Sequence, residues 1–434
     1  MPPPTSDPTS DPTSDPSSPG RRPDPHGHRI GSPAYHRITL ALFLAGLATF
    51  ALLYATQPLL PLLSSDFGVS PAQSAWSISF ATAGLGAALL VAGPLSEVWG
   101  RTRLMHASLF LSGLVALACG FAPSWTSLLT LRAVEGVMLA GLPAVAMAYL
   151  AEEIDSRDSA RAAGLYVAGT AIGGMTGRLV AGGLSELWGW RPALVGIGAL
   201  GLGCAIAVRL LLPDSRRFHP KPARIGQLIG STRGLLADPA MWCLFGIAGC
   251  AMGAFVGTFN ALGFRLEATP YALGVGVAGL VYLSYALGSV SSAWAGRAAA
   301  TFGHRAVEPL LLLGMLLGLL LTLAAPLPVV VLGVAILTAG FFGAHGVASG
   351  WVASRASLST GTPGQASSLY LFFYYLGSSI AGSLAGTAWS AGGWPGVVAL
   401  TAGLVVLAIG FALALRRIPS LLEPPEPDPG IVGY

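Results

Sequence analysis

Arg132 and Glu135 stand three residues apart in LLTLRAVEGVML, a stretch otherwise almost wholly apolar. At that spacing on a helix the two side chains share a face, so they can pair or present a joint site. A carboxylate beside an arginine has two stable conditions, ionised when paired and protonated when desolvated alone. Three roles are open: reversible protonation of Glu135, a permanent pair that locks its helix to its neighbours, or a contact from Arg132 to an anionic solute. His345 lies in a second apolar run, and imidazole changes charge near neutral pH. It is either another proton-coupling group or a packed histidine. Arg178, in a third run, either snorkels toward the nearer membrane face or reaches across to Glu135. A charge at the centre of a membrane helix costs about 2.5–3.5 kcal/mol, so these groups are expected to be kept for function. Glu135 is expected to be the sole acid deep in any span.

The elements that must position them follow from composition. Of 434 residues, 53% are hydrophobic and only 10% charged, against about 25% charged in soluble domains. The apolar runs are continuous for about 20 residues, which suits membrane-spanning helices and not the short alternating strands of a barrel. Twelve such runs are read, predicting an all-α membrane protein. Residues 1–37, with TSDP three times over from Thr5 to Pro16, read as a disordered tail. Residues 38–211 form a first six-helix bundle, 212–239 a linker, 240–415 a second bundle, and 416–434 a C-terminal tail. Cys119, Cys204, Cys243 and Cys250 lie inside spans without metal-ligand spacing and read as small buried hydrophobes. No nucleophile with a base, metal cluster or phosphate loop is legible, so neither an enzyme nor a cofactor is expected. The net charge of +4 sits beside spans, where it meets lipid headgroups and not nucleic acid.

Cytosolic loops retain excess Lys and Arg. With both termini inside, only Arg191 and Arg265 of the 23 basic residues fall in outside loops, with Arg132 and Arg178 inside spans. The chain also repeats itself. Gly93 and Gly100 recur as Gly296 and Gly303, 203 residues on. Leu165, Tyr166, Gly173, Gly189 and Trp190 recur as Leu369, Tyr370, Gly377, Gly393 and Trp394, 204 residues on. Two agreeing offsets predict a duplicated six-span unit in pseudo-symmetric halves.

Gly93, Leu95, Ser96, Glu97, Gly100 and Arg101, in a loop after the second of twelve spans, resemble the signature loop of the major facilitator superfamily. Its second copy keeps Gly296, Gly303 and Arg305 but has Ala299 and Ala300 where Ser96 and Glu97 stand. Leu128, Arg132 and Gly136 are similar to a pattern of proton-coupled members, which points to the drug:proton antiporter branch. GTAIGGMTGR, Gly169 to Arg178, is an altered form of the antiporters' span-five pattern, without its proline. YATQPLLP, GGMTGR and AHGVASGW resemble the YnfM-like group of bacterial exporters. The resemblance covers about Ile38 to Arg417. It implies that Gly93, Glu97, Gly100, Arg101, Gly296, Gly303 and Arg305 form a conformational latch, with Glu97 near the start of span eleven and Arg101 bridging to Glu97, Glu152 or Glu153. The plainer role for Arg101 is a topology anchor. It further implies that Tyr54, Gln57, Arg132, Glu135, Asn260 and His345 surround one substrate cavity. Gly169, Gly173 and Gly177 repeat every four residues, a smooth face for close helix approach; the resemblance makes span eight, across the halves, the partner of this face and Arg178. The aromatic cluster YLFFYY, Tyr370 to Tyr375, either stacks on an apolar or planar substrate or simply packs or faces lipid.

A secondary transporter of the inner or plasma membrane is therefore expected, acting as a monomer by alternating access and expelling a small drug-like or metabolite molecule against a proton gradient. A symporter or facilitator importing a small organic solute is the second reading. A transport-inactive sensor or scaffold is the third, from a different class.

Overall fold

In a bilayer only a helix satisfies its own backbone hydrogen bonds along a single segment, so each apolar run becomes one. The computed structural model describes residues 27–215, 218 and 225–421. Among these, nine helices are long and apolar enough to cross a membrane. The last of them, Pro363–Ala414, reverses at Gly393 and supplies two passes. Two more passes come from the interrupted pair Trp125–Leu139 and Ala146–Glu153, and from the more polar Ser156–Trp188. In chain order, span 1 is Pro33–Phe67, span 2 Pro71–Trp99 and span 3 Arg101–Cys119. The interrupted pair is span 4, Ser156–Trp188 span 5 and Trp190–Leu211 span 6. A linker helix, Ile225–Ala237, leads to span 7, Pro239–Glu267. Span 8 is Val275–Phe302, span 9 His304–Leu321 and span 10 Leu327–Ser359, followed by spans 11 and 12 on either side of Gly393.

Two boundaries differ from expectation. The first helix begins at Pro33, with Ser32 as its N-cap, inside the segment read as a tail. Residues just before it are tied to the end of span 4: His28 bridges Ile154, and Arg29 pairs with Asp155 at 3.0 Å. Segment 212–239 contains a helix and not only a connection. Residues 1–26 of the expected tail lie outside the described residues.

The repeat is visible in the turns. Sharp reversals after spans 2, 5, 8 and 11 fall on Gly100, Gly189, Gly303 and Gly393, with φ of 101°, 84°, 83° and 58°. A Cβ at Gly189 or Gly303 would meet nothing within 4 Å, so the dihedral alone demands glycine there. These four hinges carry the same offsets of 203 and 204 residues read from the sequence. Spans 1–6 and 7–12 thus form two halves of like construction.

The duplication also corrects the glycine face of span 5. Gly169, Gly173 and Gly177 press on the backbone of Phe43, Leu47 and Ala51, so their partner is span 1 of the same half and not span 8. In the second half Gly377, the counterpart of Gly173, likewise presses on Gly249 of span 7. Small residues let two backbones approach closely, and here they serve each half's interior.

At the side remote from the described termini, henceforth the far side, each half carries an arginine–tryptophan clamp. Arg191 stacks on Trp190 and donates to the Ala122 carbonyl at 2.7 Å. Arg265 stacks on Trp394 and donates to the Ala324 carbonyl at 2.9 Å. The two arginines read as loop charges are therefore engaged with helix ends.

Candidate functional site

Pro58 and Pro61 cannot donate backbone hydrogen bonds, and span 1 breaks beside them. Its first helix stops at Leu53, a 3-10 turn covers Gln57–Leu59, and a second helix runs Leu60–Phe67. A helix that ends inside a membrane leaves carbonyls without partners. The Arg132 guanidinium caps this end, with Nη1 donating to Leu52 O at 3.1 Å and Nη2 to Leu53 O. Its Nε donates to Ser77 O of span 2 at 2.9 Å, and Nη1 pairs with Glu135 Oε2 at 2.6 Å. Arg132 is 1% exposed and Glu135 0%. The pair thus closes the broken end of span 1 and ties spans 1, 2 and 4 together. Glu135 Oε1 has no hydrogen-bond partner, and Cys119 Sγ of span 3 donates to Oε2 at 3.8 Å.

The same break carries Tyr54 and Gln57 to the boundary between the halves. Gln57 Nε2 donates to Asn260 Oδ1 at 2.6 Å, and Asn260 Nδ2 to Gly382 O at 3.3 Å. Arg178 completes the group. It neither snorkels nor reaches Glu135: its Nε donates to Gln57 Oε1 at 2.5 Å and its Nη1 to Gly174 O at 2.5 Å. Its guanidinium carbon lies 4.4 Å from the Tyr54 ring centre, 4.6 Å from Tyr285 and 5.3 Å from Tyr282, the last two on span 8. Three of the residues expected around one cavity, Tyr54, Gln57 and Asn260, therefore do meet. Arg132 and Glu135 do not join them, because their polar partners all belong to spans 1 to 4.

His345 reaches this group only through rings. Its Nδ1 lies 3.0 Å from the Tyr370 hydroxyl, and its ring centre 4.7 Å from Tyr374. Tyr370, Tyr374 and Tyr375 of YLFFYY are buried, facing the interior and not lipid. Close to Tyr370 stands a residue the sequence reading missed. Glu308, one turn into span 9, is 0% exposed, and both its carboxylate oxygens lack a hydrogen-bond partner. Its carboxyl group lies in the neighbourhood of the Tyr370 hydroxyl, with no hydrogen bond between them. Glu135 is therefore not the only buried acid within the spans. Placing the start of span 9 at Pro309 left Glu308 just outside; an acid directly beside the proline that opens an apolar run was the signal available.

The loop after span 2 is held within its own half. Arg101 Nη2 lies 3.0 Å from Glu152 Oε1 and 3.9 Å from Glu97 Oε1, and its Nη1 donates to Ser96 Oγ at 2.5 Å. Glu97, with 43% of its side chain exposed, makes no ion pair with span 11 among the described residues. Gly93 and Gly296 have no neighbour within 4 Å of a Cβ position. In the second copy Arg305 Nη2 donates to Ile418 O at 2.5 Å, holding the C-terminal segment. In this conformation the expected latch ties each loop to its own half.

Polar contacts between the halves, among the described residues, all lie toward the far side. Besides Gln57 and Asn260, they are Ser79 Oγ with Ser383 Oγ at 2.8 Å, Thr82 Oγ1 with Ser379 Oγ at 2.7 Å, and the Gly276 amide donating to Glu186 Oε2 at 2.8 Å. An apolar cleft of about 630 Å³ opens beside this seam, between spans 2, 4 and 11, lined by Trp76, Phe80, Val134, Val137, Leu376 and Ile380. At the far end of the seam a Cβ on Gly386 would come within 2.5 Å of Ala72 Cα in the opposite half. Overpacking of this kind costs about 1–3 kcal/mol, so Gly386→Val is expected to part the far side. The measurement is disulfide formation between cysteines at Ser79 and Ser383, which should fall severalfold in the Gly386→Val background; an unchanged yield would show that the seam absorbs the wedge.

Comparison with known proteins agrees with this architecture. Residues 40–293 match the family profile described as Major Facilitator Superfamily. The chain is 40% identical over 389 residues to the uncharacterized MFS-type transporter YybF of Bacillus subtilis (strain 168), covering 90% of this chain and 96% of that one. It is 42% identical over 387 residues to the inner membrane transport protein YnfM of Escherichia coli (strain K12), covering 89% and 92%. Among solved structures, a bacterial homolog of the human lysosomal transporter Spinster, inward-facing and unoccupied, superposes with a TM-score of 0.70 at 18% identity over 89% of this chain and 98% of that one.

Proposed function

Because the chain belongs to the major facilitator superfamily, alongside YnfM and YybF, and is a membrane transporter and not an enzyme, we propose that it expels a small organic molecule in exchange for protons. The observation that carries the alternating-access part is the one-sided seam: hydroxyl and amide contacts join the halves toward the far side, while Arg101 and Arg355 make their ion pairs inside separate halves. Such a seam must part for the opposite opening to form. The basic residues concentrate on the side of the termini, which supports a cytosolic location for that side and an inward-open state here. One chain supplies both halves, so a monomer suffices.

Proton coupling draws support from the two carboxylates that are 0% exposed, Glu135 and Glu308. Glu135 is paired with Arg132 of its own helix, and its second oxygen has no partner among the described residues. Glu308 has no counter-ion among the described residues. An isolated ionised carboxylate is costly to bury, effectively by several kcal/mol, which makes Glu308 the proposed proton carrier, exchanging its proton as water gains and loses access to span 9. The contact between His345 Nδ1 and the Tyr370 hydroxyl at 3.0 Å is the relay we propose from Glu308 toward the seam.

Reconstituted vesicles carrying an internal pH dye test this reading. Adding transported solutes from a panel is expected to move protons in the opposite direction, and a disulfide between cysteines at Ser79 and Ser383 should abolish the movement until it is reduced. Solute exchange without proton movement would replace the antiporter with a facilitator. No flux for any solute, sealed or unsealed, would leave a membrane scaffold.

A further inference from the structure

We infer that Arg178 is the recognition point for a planar organic anion, so that the transported solute bears a carboxylate on an aromatic ring. This rests on the transporter reading above and names its substrate class.

The membrane spans hold two deeply buried arginines at their interior, and they differ in charge balance. Arg132 is paired with Glu135 and saturated by three carbonyls. Arg178, 1% exposed, has no carboxylate within 4.0 Å among the described residues. Its acceptors are a neutral amide oxygen and one backbone carbonyl, and its Nη2 makes no hydrogen bond among the described residues. A buried charge is normally paired. The three tyrosine faces around it offset part of the cost, as cation–π contacts do. They do not cancel the charge.

Location gives that charge a use. Arg132 is enclosed by one half, whereas Arg178 lies where spans 1, 5 and 8 meet across both. Beside it the Tyr54 hydroxyl and Ser378 Oγ, one from each half, are buried and face each other across the seam, with no other hydrogen-bond partner among the described residues. A polar group of a guest can insert between them. From Tyr282 and Tyr285 a chain of ring contacts runs through Phe255, Phe341 and His345 to Tyr374, a wall on which a flat molecule can stack. A guanidinium fork matches a carboxylate in two parallel hydrogen bonds and repels a cation. Since the cage spans the seam, anion binding would draw Arg178 from Gln57 and so loosen the link to Asn260.

The test uses the full chain in lipid nanodiscs and calorimetric titration with four probes: benzoate, benzamide, benzylammonium and cyclohexanecarboxylate. Benzoate should bind about tenfold or more tighter than benzamide, the difference expected of a charge-assisted hydrogen bond, with benzylammonium weakest and cyclohexanecarboxylate below benzoate. Arg178→Gln should lower benzoate to the level of benzamide while leaving benzamide unchanged. Where that variant does not fold, Arg178→Lys keeps the charge without the fork and should lose part of the preference, and the ranking by the unaltered chain decides on its own. Equal binding of benzoate and benzamide, preference for benzylammonium, or no binding of either carboxylate at millimolar concentration would overturn the assignment. Flux of uncharged or cationic solutes with a working seam would remove only the substrate class. Benzoate binding without any flux would instead remove the transporter reading.

Discussion

Replacing Arg132 with alanine is expected to destabilise the protein by about 3–5 kcal/mol, the usual result of removing one partner from a buried ion pair. Glu135, 0% exposed, would lose its counter-ion, and the carbonyls of Leu52, Leu53 and Ser77 would lose the guanidinium that joins them. The thermal midpoint of the purified chain in nanodiscs measures this. An Arg132→Met, Glu135→Leu double variant removes both charges, so it should recover a large part of the loss while leaving the broken end of span 1 unfilled. If the single alanine variant melts with the unaltered chain, the pair is not what holds spans 1, 2 and 4. If the double variant is no better than the single, the carbonyls dominate and the charge balance is secondary.

Glu308→Gln is expected to do the reverse, leaving stability within about 1 kcal/mol of the parent because a neutral side chain replaces one that is unpaired and buried. Transport should change qualitatively. A glutamine cannot release a proton, so uphill solute movement driven by a pH gradient should vanish while solute exchange across the membrane persists. Comparing the two modes in one vesicle preparation separates coupling from folding. Gradient-driven accumulation at the parental rate would take Glu308 out of the cycle and return the role to Glu135 or His345. Loss of exchange as well would make Glu308 a packing residue of span 9.

Much of the architecture was legible because it is written in one dimension. Span number, the repeat offsets and the hinge glycines depend on composition and spacing along the chain, and Gly100, Gly189, Gly303 and Gly393 carry that spacing directly into backbone geometry. The meeting of Tyr54, Gln57 and Asn260 was foreseen through resemblance alone, and the break that permits it is signalled by Pro58 and Pro61. What stayed hidden depends on which neighbour a helix face meets. A glycine stripe predicts close approach without saying to whom, so Gly169, Gly173 and Gly177 were assigned to the opposite half although their partner is span 1. Arg178 could be placed at a depth but not given a direction. Glu308 was lost at a boundary because a proline just inside a helix reads from sequence as its beginning.

The clamps of Trp190 and Trp394, with their arginines, belong wholly to one half or the other. None of the five described ion pairs joins one half to the other. Ionic glue therefore travels with each rigid block, while the joint between blocks is fastened chiefly by neutral hydroxyls and amides worth about 0.5–1.5 kcal/mol apiece. Thermal agitation and one well-chosen guest are enough to unfasten such a joint, and neither block need loosen internally when it swings.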